Sequence, residues 1–359
     1  MKRKVYAIII LILAIILLII GVFNFWNLIK DVKLEKGIVA DYDRRINIWK
    51  NAAGNSSHSK LVNMNIDYNI SVENAQYNFS SVIFNNKYHD CEKIIDTFTY
   101  IYEIKKGYEK ETYEDEPYII PYLVEDSDKA VIVIPGGGYA FKSIDGSTIE
   151  GKDIAETLNK NGINAFVLHY RSNPYEYPIP YLDLQRAIKY LRYHSDTYGI
   201  DKNKISIIGF SAGGHIVSQY INQIQNLDIY PEDYKLDIID KEDATITSGA
   251  MIYPLINFNN NIPLLFALFN REDIKDIEKR QELLDLVDTV KNFNSANIKQ
   301  FIAYGNMDTT VGIDEINNYI EEAENKDTEL KAVLVDGGQH GFPQECYIEE
   351  YINWLKEIY

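Results

Sequence analysis

Residues 205–215, ISIIGFSAGGH, constrain this chain more than any other stretch. Ile205, Ile207 and Ile208 make a short apolar run suited to a strand buried in a sheet, and Gly209 follows directly. The chain must then turn sharply. Gly209, Ser211 and Gly213 fit the GxSxG pattern, a strained strand-to-helix turn whose glycines let helix and strand approach. A serine held there projects its hydroxyl above the sheet edge, at a helix N-terminus whose amides favour developing negative charge.

Short apolar stretches alternate with helix-like ones on both sides of that turn. TFTYIYEI at 97–104 alternates as a strand, and PYIIPYLV at 117–124 follows an acidic loop at 109–116. AVIVI at 130–134 reads as a buried strand running into Pro135, Gly136, Gly137, Gly138 and Tyr139. Helix patterns at 149–161 and 181–198 bracket a strand at 165–169, and further strands are expected at 250–253, 300–304 and 331–335. This is the spacing of parallel βαβ units. It predicts an α/β architecture with one mostly parallel central sheet and flanking helices over residues 96–359.

The first residues are a separate object. Residues 5–23 form a 19-residue run without a charge or a proline, and no charge follows until Lys30. That is long enough to span a bilayer, and no small-x-small cleavage site follows it, so residues 1–27 are expected to be one uncleaved transmembrane helix. Lys2, Arg3 and Lys4 put the N-terminus in the cytoplasm and the catalytic part outside, although Lys30, Lys33 and Lys36 lie close beyond the far end. Residues 28–95 read as a membrane-proximal spacer or small cap with a helix at 33–49, and His58 and His89 as solvated side chains. The net charge of −17 repels nucleic acid and favours a neutral partner. With only Cys91 and Cys346, the core needs no disulfide framework; the two could pair if the domain lies outside the cytoplasm, but two buried free thiols are the expectation.

A serine nucleophile needs a general base, an acid to orient the base, and donors for an oxyanion. In open α/β sheets such groups collect beyond the carboxyl ends of strands. Ile302, Ala303 and Tyr304 run into a loop holding Asp308, and Val333, Leu334 and Val335 into one holding His340. Asp314 and Asp336 remain rivals for the acid. The backbone amides of Gly136 to Gly138 and of Ala212 are candidates for the oxyanion, and Tyr139 either lines the pocket or covers it. Each residue also has a plain structural reading: a turn serine, a turn aspartate, a packed loop histidine, a flexible triple glycine. GSTIEGK at 146–152 fails as a phosphate loop because Asp153 replaces the required hydroxyl. Phe141 stands where GxGxxG needs its third glycine. His215 reads as a packing residue, and His169 and His194 lack metal-ligand spacing. No metal site is visible, and the chemistry requires no cofactor.

PGGGY at 135–139, Glu150-Gly151, AFVLHYR at 165–171, YPIPYLDLQRAIKYLR at 177–192, GFSAGGH, Tyr253-Pro254, Asp308 and the QHGF around His340 together resemble the α/β-hydrolase superfamily. The closer resemblance is to acetylxylan-esterase-like carbohydrate esterases related to the hormone-sensitive-lipase group. It implies Ser211 as nucleophile, His340 as base, Asp308 as acid, and the amides of Gly137, Gly138 and Ala212 as the oxyanion hole. Pro135 replaces the histidine of the lipase-like pattern, which favours sugar esters. The implied activity is serine esterase action on small acyl groups, most of all acetyl, of a small-molecule or polysaccharide ester. A serine peptidase on the same fold and a non-catalytic binding module are the rivals. Residues 256–297 are expected to cap the acyl pocket.

Overall fold

A computed structural model of the chain describes residues 45–54, 64–85, 89–105, 117–141, 149–225, 227–294 and 297–359. Strand β1 (Ile46–Asn47) is followed by helices α1 (Val72–Asn85) and α2 (Cys91–Lys105), then β2 (Tyr118–Tyr122) and β3 (Ala130–Ile134). Helix and strand then alternate through α3 (Lys152–Lys160), β4 (Asn164–His169), α4 (Ile179–Tyr193), β5 (Ile205–Phe210), α5 (Ala212–Gln219) and β6 (Ser248–Ile252). Short helices lead to α6 (Ile277–Leu286), and β7 (Lys299–Gly305), α7 (Ile313–Asn325), β8 (Leu330–Val335) and α8 (Ile348–Ile358) follow.

The strands form one sheet in the order β1-β2-β4-β3-β5-β6-β7-β8. β2 pairs antiparallel with β1 and β4, and every pairing from β4 to β8 is parallel. β3 shows why the apolar run folds this way. Ala130, Ile132 and Ile134 enter the core on one face of the sheet, and Val131 and Val133 the core on the other. A strand covered on both faces has no polar alternation to show. Register then sets the site. Ile134 pairs with Gly209, Phe210 with Ile252, and Gly305 with Val335, so the loops after these strands emerge side by side.

Several expectations change. Residues 97–104 lie within α2, not a strand, because Ile95, Phe98 and Ile101 recur every third residue and all three are buried. Of the helix expected at 33–49, residues 33–44 lie outside the described residues, and Ile46 and Asn47 pair with β2. The helix expected at 181–198 stops at Tyr193, and a short turn, Ser195–Tyr198, ends at Gly199 with φ +67°. Cys91 is buried as expected, but Cys346 is exposed at a surface turn, and no disulfide joins them. His89 is exposed beside Asp90, and His58 lies outside the described residues.

The apolar run at 5–23 also lies outside the described residues. Among the described residues, no helix is long and apolar enough to cross a membrane. The segment read as a spacer or cap is partly built into the main core: Ile48, Trp49, Ala75, Val82 and Ile83 join the cluster that holds Ile132 and Ile207. Polar contacts reinforce this. Ile48 O accepts from Arg186 Nε at 2.7 Å, Ala53 O from Arg171 Nη1 at 2.7 Å, and Trp49 Nε1 donates to Asp183 Oδ1 at 3.1 Å.

Candidate active site

The β5–α5 turn holds Ser211 at φ +51°, ψ −115°, a conformation that costs a non-glycine residue free energy. Three backbone hydrogen bonds keep it there. Its N–H donates to Ile252 O at 3.0 Å, and its carbonyl accepts from His215 N at 3.1 Å and Leu255 N at 3.2 Å. A Cβ on Gly213 would stand 2.1 Å from Ile134 O, so only glycine lets the helix seat against β3.

Ser211 Oγ lies 2.9 Å from His340 Nε2, and His340 Nδ1 lies 2.8 Å from Asp308 Oδ2. A carboxylate only accepts, so Nδ1 carries the proton and Nε2 is free to accept the serine hydroxyl proton. Asp308 Oδ1 accepts the amides of Thr310 at 2.8 Å and Val311 at 3.1 Å, which hold a nearly buried carboxylate in place. The two loops are tied together where Met307 N donates to Gly338 O at 2.9 Å. The rivals point elsewhere. Asp336 is exposed and accepts from Asn306 Nδ2 at 2.8 Å, and Asp314 is exposed in the first turn of α7.

Gly137, Gly138 and Ala212 join Ser211 and His340 in the wall of a cavity of about 410 Å³. Gly137 (φ +125°) and Gly138 (φ +60°) occupy backbone regions that favour glycine, and the Gly137 carbonyl accepts from Ala140 N and Phe141 N to close the turn. The rest of the wall is largely apolar: Phe79 and Ile83 from α1, Phe141, Leu255, Leu264 and Val311. Of the segment at 256–297, Asn261 and Leu264 reach the cavity.

Tyr139 does not line the cavity. It is fully buried behind the glycine turn, and its hydroxyl donates to His215 Nδ1 at 2.8 Å. His215 Nε2 donates to Val287 O at 2.8 Å. Burial outweighs that carbonyl and pushes the His215 pKa down to about 4, so the ring is neutral near pH 7 and braces α5. Burial also pushes the Tyr139 phenol well above its ordinary pKa, which keeps it a donor. His169 stacks on Tyr118 at 4.2 Å, and His194 caps α4. Phe79 and Ile83 were missed because a helix far upstream carries no local sign of the cavity it reaches. Glu150 stood in a quoted motif but carried no assigned role.

A family profile described as BD-FAE matches residues 119–321, more than half of the chain. The chain belongs to the BD-FAE family. The matched span includes Ser211 and Asp308 and stops short of His340. This BD-FAE chain is 26% identical over 255 residues to an acetylxylan esterase of Xylanibacter ruminicola, covering 67% of this chain and 48% of that one. It thus spans about half the length of that curated relative. Among solved structures it is similar to an acetyl ester-xyloside bifunctional hydrolase from Caldicellulosiruptor lactoaceticus, with TM-score 0.56, 26% identity, and 68% and 88% of the two chains covered. A truncated carbohydrate esterase from gut microbiota shares the fold at TM-score 0.55 and 21% identity, over 67% of this chain and 90% of that one. The architecture is the α/β-hydrolase fold, and the family resemblance read from the motifs holds.

Proposed function

We propose that this BD-FAE chain is a serine esterase that removes short acyl groups, acetyl above all, from carbohydrate esters through an acyl-enzyme. The observation that carries the reading is the continuous relay from Ser211 Oγ through His340 to Asp308, at 2.9 and 2.8 Å, opening on a glycine-walled cavity. The acetylxylan esterase relative and the acetyl ester-xyloside hydrolase support the substrate class. In this reading Ser211 Oγ attacks the ester carbonyl carbon as its proton passes to His340 Nε2. The amides of Gly137, Gly138 and Ala212 stabilise the oxyanion, and each such donor contributes about 10²–10³ in turnover. Collapse expels the sugar oxygen, which takes the proton from His340. Water, deprotonated by the same nitrogen, then cleaves the acyl-enzyme and releases the carboxylic acid. Residues 1–27 anchor the enzyme in a membrane, with the catalytic part on the extracytoplasmic side.

The test is hydrolysis of p-nitrophenyl acetate and of an acetylated xylo-oligosaccharide by the full-length protein in detergent micelles, with a fluorophosphonate used to label the nucleophile. Acetate release, together with a single adduct on the peptide containing Ser211, is expected. Turnover of a peptide substrate but of neither ester would select the peptidase reading, and full resistance to the label would select a binding module.

The cavity wall also sets an expectation for acyl length. A Cβ on Gly138 would stand 3.6 Å from Phe79 Cζ and 3.3 Å from Leu264 Cδ2, so these side chains roof the glycine turn. Phe79→Ala should raise the octanoate-to-acetate ratio of kcat/KM about tenfold, since each newly buried methylene contributes about 0.8 kcal/mol. An unchanged ratio across a p-nitrophenyl ester series would remove Phe79 from the acyl wall.

A further inference from the structure

Glu150 is outside the Ser211–His340–Asp308 relay, yet it stands in the same cavity wall as Ser211 and His340. Its two oxygens reach two different loops. Oε2 accepts the N–H of Gly136 at 2.8 Å, and Oε1 accepts the O–H of Tyr253 at 3.0 Å. Gly136 opens the turn that carries Gly137 and Gly138. It is held close to the nucleophile: a Cβ there would meet Phe210 O at 2.9 Å, Ser211 Cβ at 3.0 Å and Glu150 Oε2 at 3.2 Å.

Tyr253 leaves β6 at φ +37°, with its N–H on Ala303 O at 2.7 Å, and its ring packs 5.1 Å from the His340 imidazole. Burial first and the Glu150 charge second push its phenol well above the ordinary pKa, so the hydroxyl stays protonated and donates. One carboxylate therefore joins the oxyanion turn to the ring against which the base packs. Hydrogen bonds to an ionised acceptor are stronger than neutral ones, which suits a strut between two loops.

We propose that Glu150 is a positioning residue for the hydrolysis, bridging Gly136 and Tyr253 so that the oxyanion amides and His340 keep their spacing about Ser211. The proposal rests on the esterase reading above. Displacing the turn moves the amides from the place where charge develops, and that costs the transition state more than bound ester. A misplacement of about 1 Å is worth about 10²-fold in rate.

The experiment measures kcat and KM for p-nitrophenyl acetate on full-length wild type, Glu150→Ala, Glu150→Gln and Tyr253→Phe. Competent sites are counted by fluorophosphonate titration and folding is followed by the thermal midpoint. Glu150→Ala should lose about 10² in kcat per titrated site with KM within threefold. Glu150→Gln can still accept from Gly136 and should stay within about fivefold of wild type. Tyr253→Phe keeps the ring on His340 but removes the hydroxyl, and should lose about tenfold. A residue that only stabilises the fold would lower the midpoint and the titrated fraction while leaving kcat per site unchanged, and that result overturns the proposal. Should Glu150→Ala fail to fold, Tyr253→Phe decides, and a wild-type kcat per site there overturns it. A wild type that turns over no ester would overturn the esterase reading and this proposal with it, an outcome distinct from both.

Discussion

Ser211→Ala is expected to lower kcat for p-nitrophenyl acetate by about 10⁶-fold, with His340→Ala close behind and the double variant no worse than either alone. In the proposed relay Ser211, His340 and Asp308 act as one proton-transfer unit, so removing one member should remove the function of the others. Asp308→Asn should cost about 10⁴-fold, because an amide facing Nδ1 no longer enforces the tautomer in which Nε2 accepts the serine proton. Asp308 is also fixed by the Thr310 and Val311 amides, so it is built to face His340. Asp314→Asn and Asp336→Asn should remain within about twofold of wild type, since both carboxylates are exposed surface groups. Initial rates on purified variants, with wild-type contamination bounded by active-site titration, check this series. A larger loss from Asp336→Asn than from Asp308→Asn would transfer the acid's role.

The second large effect concerns stability. Asp183 is fully buried, as is its partner Arg171. Its Oδ2 accepts from Arg171 N at 2.9 Å and Nε at 3.0 Å, and its Oδ1 from Arg171 Nη2 at 2.7 Å and Trp49 Nε1 at 3.1 Å. Asp183→Ala leaves a guanidinium in the core without its counter-charge and should destabilise the fold by about 3–5 kcal/mol. That is a large share of the ~5–15 kcal/mol by which a typical domain is stable. Replacing both partners, Arg171→Met with Asp183→Leu, should recover only part of the loss: no unpaired charge remains, but Trp49 Nε1, the backbone N–H at position 171 and Ala53 O lose their partners. Urea midpoints followed by circular dichroism read both effects. A loss below about 1 kcal/mol for Asp183→Ala would mean that water reaches the pair.

What was legible from the residues alone is what local geometry encodes. A buried strand running into GFSAGGH states its own turn, because Gly209 and Gly213 let the strand and helix on either side of Ser211 approach, and the apolar run before Gly136 does the same for the glycine turn. His340 was legible for a similar reason: it lies in a glycine-containing loop directly after a strand. Asp308 was less legible: the residues alone left Asp314 and Asp336 as rivals, since all three follow β7 or β8 closely in sequence, and the resemblance was what favoured Asp308. The register between those strands, with Met307 bonded to Gly338, sets Asp308 beside His340.

The same limit explains the reading of residues 97–104. TFTYIYEI alternates in polarity, yet Thr97, Phe98 and Thr99 are buried in succession, as a helix packed among its neighbours allows and a half-exposed strand does not. Nothing local shows that Phe79 roofs a cavity opened by Gly138, that Trp49 reaches Asp183 across 134 residues, or that Glu150 spans Gly136 and Tyr253. Near-neighbour patterns announced the alternation of strands and turns and the candidates Ser211 and His340, because these depend on bonds between residues close in the chain. The contact of Asp308 with His340, the cavity wall and the Glu150 bridge between Gly136 and Tyr253 emerge only in three dimensions. They depend on which distant side chains the sheet order brings within about 3 Å, the reach of a hydrogen bond.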